Sequence, residues 1–307
     1  MTVCIAAECT HNGEPRIVLC SDWKGETALG GSETTDKLRV LPKGWVALIA
    51  DTLSRAEELV AQYESHFERL AAFTDDRHLY EEMKKPAQAL KAMLANDYVQ
   101  QTMGMSYTDF LTRAEHLPKE FVTQRLMEVS EIKLHASLIL AGFVGGKNRE
   151  IEREKTEPYL IVVEDTESHE DVVRVEESFA VIGSGAYVAI PVFHQREHQP
   201  EKSLMETIYT VYEAKTLSEV VPGVGKTTSI DVMEPDGSIW CLSDAGHDRC
   251  QELFGQLGPK LGVSLLSEDK RERKRAETYF ELKAEFLEPF DEEEKEEGKP
   301  QAAGAGE

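Results

Sequence analysis

Apolar and polar residues alternate along the first part of the chain in short runs that are typical of β-strands. Such runs cover Val3–Glu8, Arg16–Ser21, Thr34–Leu41 and Trp45–Ala50. Turn-forming sequences separate them at Asn12-Gly13, Gly30-Gly31 and Pro42-Lys43-Gly44. The pattern therefore predicts four strands joined by short connections.

The spacing of apolar residues then changes to three and four positions, which indicates a helix over Thr52–Phe73. A second helical pattern covers Leu79–Thr102, and we expect Pro86 to kink or end it. Residues 106–130 show a less regular helical pattern. This helical excursion, around residues 75–130, is expected to be an insertion within one domain.

The second half of the chain returns to strands before further helices. Strands are predicted over Leu134–Val144, Tyr159–Glu164, Val172–Val175 and Phe179–Ile182, followed by helices at Ala186–Arg196 and Leu204–Val220. A hairpin of Ser229–Glu234 and Ser238–Leu242 turns at Pro235-Asp236-Gly237, and helical material follows from Ala245 to about Glu285. Strands grouped apart from helices predict an α+β domain over residues 1–285, with two antiparallel sheets and helices on their outer faces.

Charge narrows the range of partners. The 307-residue chain carries a net charge of −23, which argues against nucleic acid or an anionic membrane as a partner. Residues 286–307 form an acidic tail that we expect to be disordered, because it has little apolar surface to bury. The five cysteines form no CxxC pair, and neither a signal peptide nor a membrane-spanning segment is apparent. We therefore expect a cytoplasmic protein.

Thr2 is the first residue that could take part in catalysis. Methionine aminopeptidase removes Met1 when a small residue follows, and the chain would then begin with Thr2. An N-terminal threonine carries a hydroxyl nucleophile and an α-amine whose pKa is ~7.7–8.0. The amine is thus available as a base at neutral pH, which is one of the recognised ways of activating a weak hydroxyl.

Other residues follow Thr2 in a suggestive order. Asp22 closes the second predicted strand, Thr35-Asp36-Lys37 leads into the third, Asp51 follows the fourth, and Gly183-Ser184-Gly185 lies between a strand and a helix. This order resembles the β-subunits of the proteasome and HslV group of N-terminal-nucleophile hydrolases. The resemblance covers residues 2–60 well and 179–240 moderately. It implies a four-layer αββα fold of two antiparallel sheets flanked by helices.

The resemblance also implies a role for each matched residue. Thr2 would be the nucleophile and Lys37 its electrostatic partner, while Asp22 would pair with and orient Lys37. Ser184 would belong to the hydrogen-bond network around the α-amine, and the backbone N–H of Asp51 would form the oxyanion hole. These assignments agree with elementary electrostatics, because a nearby ammonium favours a neutral amine and a buried ammonium needs a carboxylate.

Two departures from the family bear on activity. The family has glycine where this chain has Asp51, so a carboxylate is expected near developing negative charge. The alternative is that Asp51 is a harmless residue at a helix N-terminus, where carboxylates are favoured. The family also places an Asp and a Ser within residues 220–227, and neither is in register here, although Ser218 and Glu219 are near.

Three functions follow from these observations. The leading hypothesis is a threonine-type endopeptidase that acts on polypeptides, needs no cofactor or metal, and assembles into a ring or related symmetric homo-oligomer, as the resemblance implies. The alternatives are a catalytically impaired structural or interaction subunit of the same fold, supported by Asp51, and an amidase of the same class that acts on a small molecule. The sequence identifies no regulatory ATPase.

Two further motifs are expected to be coincidental. Gly223-Val224-Gly225-Lys226-Thr227 resembles part of a phosphate-binding P-loop, but the first glycine of that motif is replaced by Val220 and the order of helix and strand is reversed. His194-Gln195-Arg196-Glu197-His198 matches a zinc-binding pattern. It lacks an obvious third ligand, so an exposed polar helix end is predicted there.

Overall fold

The computed structural model describes residues 2–27, 30–32, 35–70, 73, 75–145, 156–165, 173–258 and 280–290, with the backbone alone for residues 25–27 and 30–32. Met1, most of the acidic tail (291–307) and most of the predicted helical stretch after Leu257 lie outside these residues. No helix of the described chain is both long enough and apolar enough to cross a membrane.

The strands of the described chain fall into three sheets. They are β1 (Cys4–His11), β2 (Glu14–Asp22), β3 (Gly25–Thr27), β4 (Gly30–Ser32), β5 (Leu38–Leu41), β6 (Trp45–Asp51), β7 (Ala136–Val144), β8 (Glu157–Val163), β9 (Val173–Glu176), β10 (Phe179–Ile182), β11 (Thr228–Met233), β12 (Ile239–Leu242) and β13 (Leu287–Pro289). One antiparallel sheet has the order β10-β1-β2-β11-β12-β13, a second has β5-β6-β7-β8-β9, and β3 pairs with β4 alone.

The helices lie between and after these strands. They are α1 (Leu53–Arg69), α2 (Asp76–Met103), α3 (Tyr107–Arg113), α4 (Lys119–Ser130), α5 (Ala186–Gln195), α6 (Leu204–Ser218) and α7 (Asp244–Leu257), with short 3-10 turns at Ala114–His116 and Ala284–Phe286. The described chain is therefore a mixed α+β protein built on two antiparallel sheets.

Each of the two larger sheets is buried on both faces. Ile5 and Ala7 of β1, with Val3 just before it, pack in a core with α5, α6 and α7. Cys4 and Ala6 point the opposite way, into a core shared with the five-stranded sheet. Because successive side chains of a strand alternate between faces, burial on both sides explains the continuous apolar run of β1.

The five-stranded sheet has its own outer core against α1 and α2. Trp45 of β6 is fully buried there and stacks on Phe67 of α1, with ring centroids 5.6 Å apart. Gly142 of β7 lies opposite Trp45, and a Cβ at that position would come within 2.4 Å of the indole. The large and the small residue are therefore fitted to each other across the two strands.

Several local predictions were wrong. Pro86 does not end α2, which continues through it to Met103. Gly30 and Gly31 belong to strand β4 rather than to a turn. The predicted tail begins too early: Phe286 is buried and residues 287–289 form β13, which pairs with β12. Contact with an existing sheet edge orders this segment, and its own composition carries no sign of that contact.

Candidate active site

Thr2 and Asp22 are neighbours because of the hairpin formed by β1 and β2. The register pairs Cys4 with Ser21, so the start of β1 lies beside the end of β2. Asp22 is fully buried, and Thr2 is 3% exposed. A carboxylate removed from water in this way requires donors around it.

Lys37 supplies one of those donors. It lies just before β5, where its carbonyl accepts a hydrogen bond from Ile49 N at 3.0 Å. Its side chain, 5% exposed, points to the end of β2, where Nζ lies 2.7 Å from Asp22 Oδ1. The Thr2 hydroxyl donates to the same carboxylate oxygen and accepts from Lys37 Nζ. Thr2, Asp22 and Lys37 thus form one buried cluster.

Backbone amides complete the surroundings of Asp22. Val3 N donates to Oδ1 at 3.0 Å, and Gly225 N donates to Oδ2 at 2.7 Å. A Cβ on residue 225 would come within 2.7 Å of Lys24 Cβ and 3.0 Å of Asp22 Oδ2. Only glycine therefore brings its amide this close to the carboxylate. Sequence analysis missed this contact, although the glycine-rich stretch after α6 was its visible signal.

The turn between β10 and α5 holds the backbone of Thr2. Ser184 Oγ lies 3.2 Å from Thr2 N, from which it accepts, and 3.3 Å from Thr2 O. Gly185 N also donates to Thr2 O, at 3.1 Å. Gly183 has φ +89°, and a Cβ there would lie 2.5 Å from Thr2 O. The glycines of this turn thus allow the close approach that places Ser184 at the Thr2 nitrogen.

Asp51 is the last residue of β6 and lies outside helix α1. Its φ of 69° is unusual for a residue other than glycine, although aspartate tolerates the left-handed region better than most. Its carboxylate accepts a hydrogen bond from Ser137 Oγ on β7. The N-cap of α1 is Thr52, and no acidic residue lies in the first helical turn. Asp51 therefore precedes the N-cap of α1 and is neither the cap nor part of the first helical turn.

Asp51 and Ser184 line a common cleft of about 710 Å³. Its other walls come from Thr52, from residues at and before the start of β7, from the end of β8 and from Gly183, and every lining residue is polar or glycine. Two of its carboxylates are paired: Glu164 with Arg174, and Asp165 with Lys91 at 3.2 Å. The cleft thus connects the Ser184 side of the Thr2 cluster with Asp51.

Cys4 is the thiol nearest to the cluster. Its Sγ donates to Ile49 O at 3.3 Å, and burial raises the pKa of the thiol to about 12. The thiol is therefore neutral at pH 7 and does not compete with the Thr2 hydroxyl as a nucleophile.

Ser218 and Glu219 contact neighbours of the cluster. Ser218 Oγ donates to Ala214 O at 2.7 Å and to Gly185 O at 3.2 Å. Glu219 accepts from Lys215 Nζ at 2.6 Å. These contacts connect the end of α6 to the Ser184 turn and to Lys215.

The zinc-like motif has a structural explanation. Among the described residues, no group of three His, Cys, Asp or Glu side chains is arranged to hold a metal. His194, Gln195 and Glu197 are exposed, as predicted for a polar helix end, whereas Arg196 and His198 are buried, which was not predicted. Arg196 pairs with Glu213 at 2.7 Å, and burial lowers the pKa of His198 to about 4. Both side chains therefore belong to the packing of α5 against its neighbours.

Comparison with known proteins adds no assignment: no protein-family model and no curated protein matches the chain.

Proposed function

We propose that this protein is a threonine-type peptidase of the N-terminal-nucleophile class, similar to proteasome β-subunits and with their four-layer αββα fold. The convergence of Lys37 Nζ and the Asp22 carboxylate on the Thr2 hydroxyl carries the proposal. Burying a lysine and an aspartate around a threonine hydroxyl costs folding stability, so this arrangement points to a purpose other than stability. Activation of that hydroxyl is such a purpose.

In the proposed reaction, removal of Met1 frees the α-amine of Thr2. Thr2 Oγ then attacks the carbonyl carbon of a peptide bond, and the amine takes the hydroxyl proton directly or through one water. The amine passes the proton to the leaving nitrogen, and an ester on Thr2 Oγ remains. Water activated by the same amine hydrolyses this ester, which releases the acid and restores Thr2.

The surrounding residues have separate roles in this proposal. Lys37 stabilises negative charge on Oγ, and Asp22 holds the ammonium in place. Ser184, at 3.2 Å from Thr2 N, orients the amine. The N–H of Asp51 is proposed as the donor to the developing oxyanion.

The cleft beside Ser184 favours polar substrates. Its lining has no Val, Leu, Ile or Met side chain and no aromatic ring other than the His135 imidazole, so a large apolar group placed there would lose water and gain few apolar contacts. We therefore expect peptides with polar or charged residues next to the scissile bond to be better substrates than peptides with aliphatic ones.

A second function is favoured by Asp51. A carboxylate in the cleft that receives the substrate raises the energy of an oxyanion by like-charge repulsion. The chain would then be a catalytically impaired subunit that contributes structure or interactions. We propose a homo-oligomer in the cytoplasm under either function.

Labelling with a peptide epoxyketone tests the peptidase proposal, because this electrophile reacts with both the hydroxyl and the free amine of an N-terminal threonine. The native protein is expected to begin at Thr2 and to gain one probe mass on that residue. Thr2→Ala and Lys37→Ala should abolish labelling, whereas Thr10→Ala, in β1 and bonded to Pro200 O, should label normally. An active preparation that retains Met1, or a Lys37→Ala variant labelled at the wild-type rate, would contradict the mechanism.

A further inference from the structure

Lys215 is a fully buried lysine of α6 that the proposed reaction does not use. Its Nζ donates to Glu219 Oε1 at 2.6 Å and to the backbone carbonyl of Lys226 at 2.8 Å. A buried ammonium costs several kcal/mol unless its charge is compensated and its protons are bonded. An apolar side chain would fill the same space without that cost, so packing alone does not explain a lysine here.

Lys215 contacts both ends of the segment between α6 and β11, residues 219–227. Glu219 is its first residue, and Lys226 lies near its end. The ammonium therefore joins the two ends of this segment. Within it, Val221 N donates to Ser218 O at 3.0 Å and Val224 N to Val221 O at 3.1 Å, so the connection is a compact double turn.

The same segment delivers the amide of Gly225 to Asp22. Gly225 N donates to Asp22 Oδ2, and the next residue offers its carbonyl to Lys215. Two consecutive residues are thus fixed, one by the carboxylate of the candidate site and the other by the buried ammonium. The other oxygen, Asp22 Oδ1, receives Lys37 Nζ, the Thr2 hydroxyl and Val3 N.

We propose that Lys215 is a positioning residue: by tying Glu219 to the carbonyl of Lys226 it holds Gly225 N–H on Asp22, and so orients Asp22 toward Lys37 and Thr2. The part that concerns catalysis rests on the proposed peptidase function. Without this restraint, Gly225 N would no longer be held on Oδ2, and the carboxylate would keep only the donors on Oδ1, so its orientation would be less tightly fixed. A small displacement of such a group lowers reaction rates strongly, because alignment of the reacting atoms is lost.

The chain offers a matched control at the start of the same helix. Lys202 precedes α6 and pairs with Glu206 at 2.7 Å in the same i,i+4 relation that joins Lys215 to Glu219. Lys202 differs in that no bond from it to the 219–227 segment is present. Lys202→Met therefore removes an equivalent ion pair and leaves the connection to Asp22 intact.

Two measurements on the full chain test the proposal. The first is hydrogen exchange of the Gly225 amide, measured by NMR on glycine-labelled protein, which does not depend on activity. The second is the rate of Thr2 labelling by the epoxyketone, resolved into the probe's binding constant and its limiting rate. We expect Lys215→Met to speed Gly225 exchange at least about tenfold and to lower the limiting rate about ten- to a hundredfold with binding unchanged. Lys202→Met should change neither.

A folded Lys215→Met protein with wild-type exchange at Gly225 would overturn the proposal, as would slower labelling with Gly225 still protected. If Lys215→Met does not fold, Glu219→Ala is the variant to measure. Glu219 is partly exposed, and its removal breaks the ion pair with Lys215 but leaves the hydrogen bond from Lys215 to the Lys226 carbonyl. Unchanged Gly225 exchange in Glu219→Ala would then overturn it. Absence of Thr2 labelling in the wild type would refute the peptidase function alone, since the exchange measurement still judges the role of Lys215.

Discussion

At the scale of single residues, Asp51 has the largest expected effect on the proposed chemistry. Its side chain is exposed, but it lines the cleft with Ser184 and accepts a hydrogen bond from Ser137 Oγ, which fixes the position of its charge beside the site. Repulsion between this charge and an oxyanion formed in the cleft would raise the barrier of the proposed reaction. In the proposed mechanism, Asp51 would therefore decide whether Thr2 reacts efficiently or slowly.

Replacing Asp51 by glycine is expected to raise the rate of Thr2 labelling at least about tenfold, which corresponds to roughly 1.4 kcal/mol of barrier. Glycine also suits the positive φ at this position. Asp51→Asn separates the two effects, because asparagine tolerates the same backbone conformation without the charge. If repulsion is the cause, Asp51→Asn accelerates labelling as well. Equal labelling rates in all three proteins would show that the carboxylate does not affect the oxyanion.

Glu8 is a buried acid outside the candidate site. By the alternation of β1 it faces the core between the two sheets, and burial raises the pKa of its carboxyl to about 8. The folded protein thus holds this proton more tightly than the unfolded chain does. The stability that it contributes is fully present below about pH 4.5 and is lost as pH rises toward 8.

We expect Glu8→Gln to remove this loss. Between pH 5 and 8 the difference in the free energy of unfolding between variant and wild type should grow by up to about 1.4 kcal/mol per pH unit in favour of the variant. Urea titrations at four pH values measure it. The exposed Glu201, changed to Gln, is the control and should follow the wild type. A pH-independent difference for Glu8→Gln would show that its carboxyl ionises normally.

At the scale of elements, α1 and α4 differ in how far their apolar side chains are buried. Helix α1 buries Ala56, Leu59 and Phe67 against the five-stranded sheet, whereas α4 has no buried residue and leaves Leu126 and Met127 exposed. The helical pattern of residues 106–130 was irregular for this reason: a helix without a sheet beneath it needs no continuous apolar stripe.

The two helices should therefore respond differently to truncation. Leu59→Ala is expected to lower the free energy of unfolding by about 2–5 kcal/mol, because it leaves a cavity in a closed core. Leu126→Ala should change it by no more than about 0.5 kcal/mol in the monomer. Chemical denaturation at low protein concentration compares them. A large loss for Leu126→Ala would mean that another surface covers α4 even under those conditions.

At the scale of the whole molecule, apolar residues on α4 and a net charge of −23 act against each other. Exposed apolar side chains favour association between copies, while like charges oppose it. Salt screens the repulsion over about 10 Å at 0.1 M and leaves the apolar contacts intact. Any assembly of this chain should therefore strengthen as ionic strength rises.

We expect light scattering at micromolar concentration to give a mass that is a multiple of 34.4 kDa, and the assembled fraction to increase between about 0.05 and 0.5 M NaCl. Leu126→Asp combined with Met127→Asp should weaken the assembly if α4 forms the contact. A single 34.4 kDa species at both salt concentrations would refute the proposed homo-oligomer.

Local pattern by itself determined the elements of this protein. The change from short alternating runs to three- and four-residue spacing located α1 directly after β6, and most predicted strands lie within a few residues of the observed ones. These features are readable because periodicity depends on near neighbours in the chain. Thr2 was chosen from its position and chemistry, and Asp22, Lys37 and Ser184 because their order along those elements resembles that of proteasome β-subunits. The hairpin register explains why Thr2 and Asp22 are adjacent.

Tertiary structure alone decided which distant groups meet. The amide of Gly225 contacts Asp22 across 203 positions, and Ser137 bonds Asp51 across 86, because sheet order rather than sequence spacing brings them together. The buried state of Lys215 and the pairing of β13 with β12 have the same origin. A side chain's burial and partners depend on what the rest of the chain packs against it, and this is a long-range property that local periodicity does not contain.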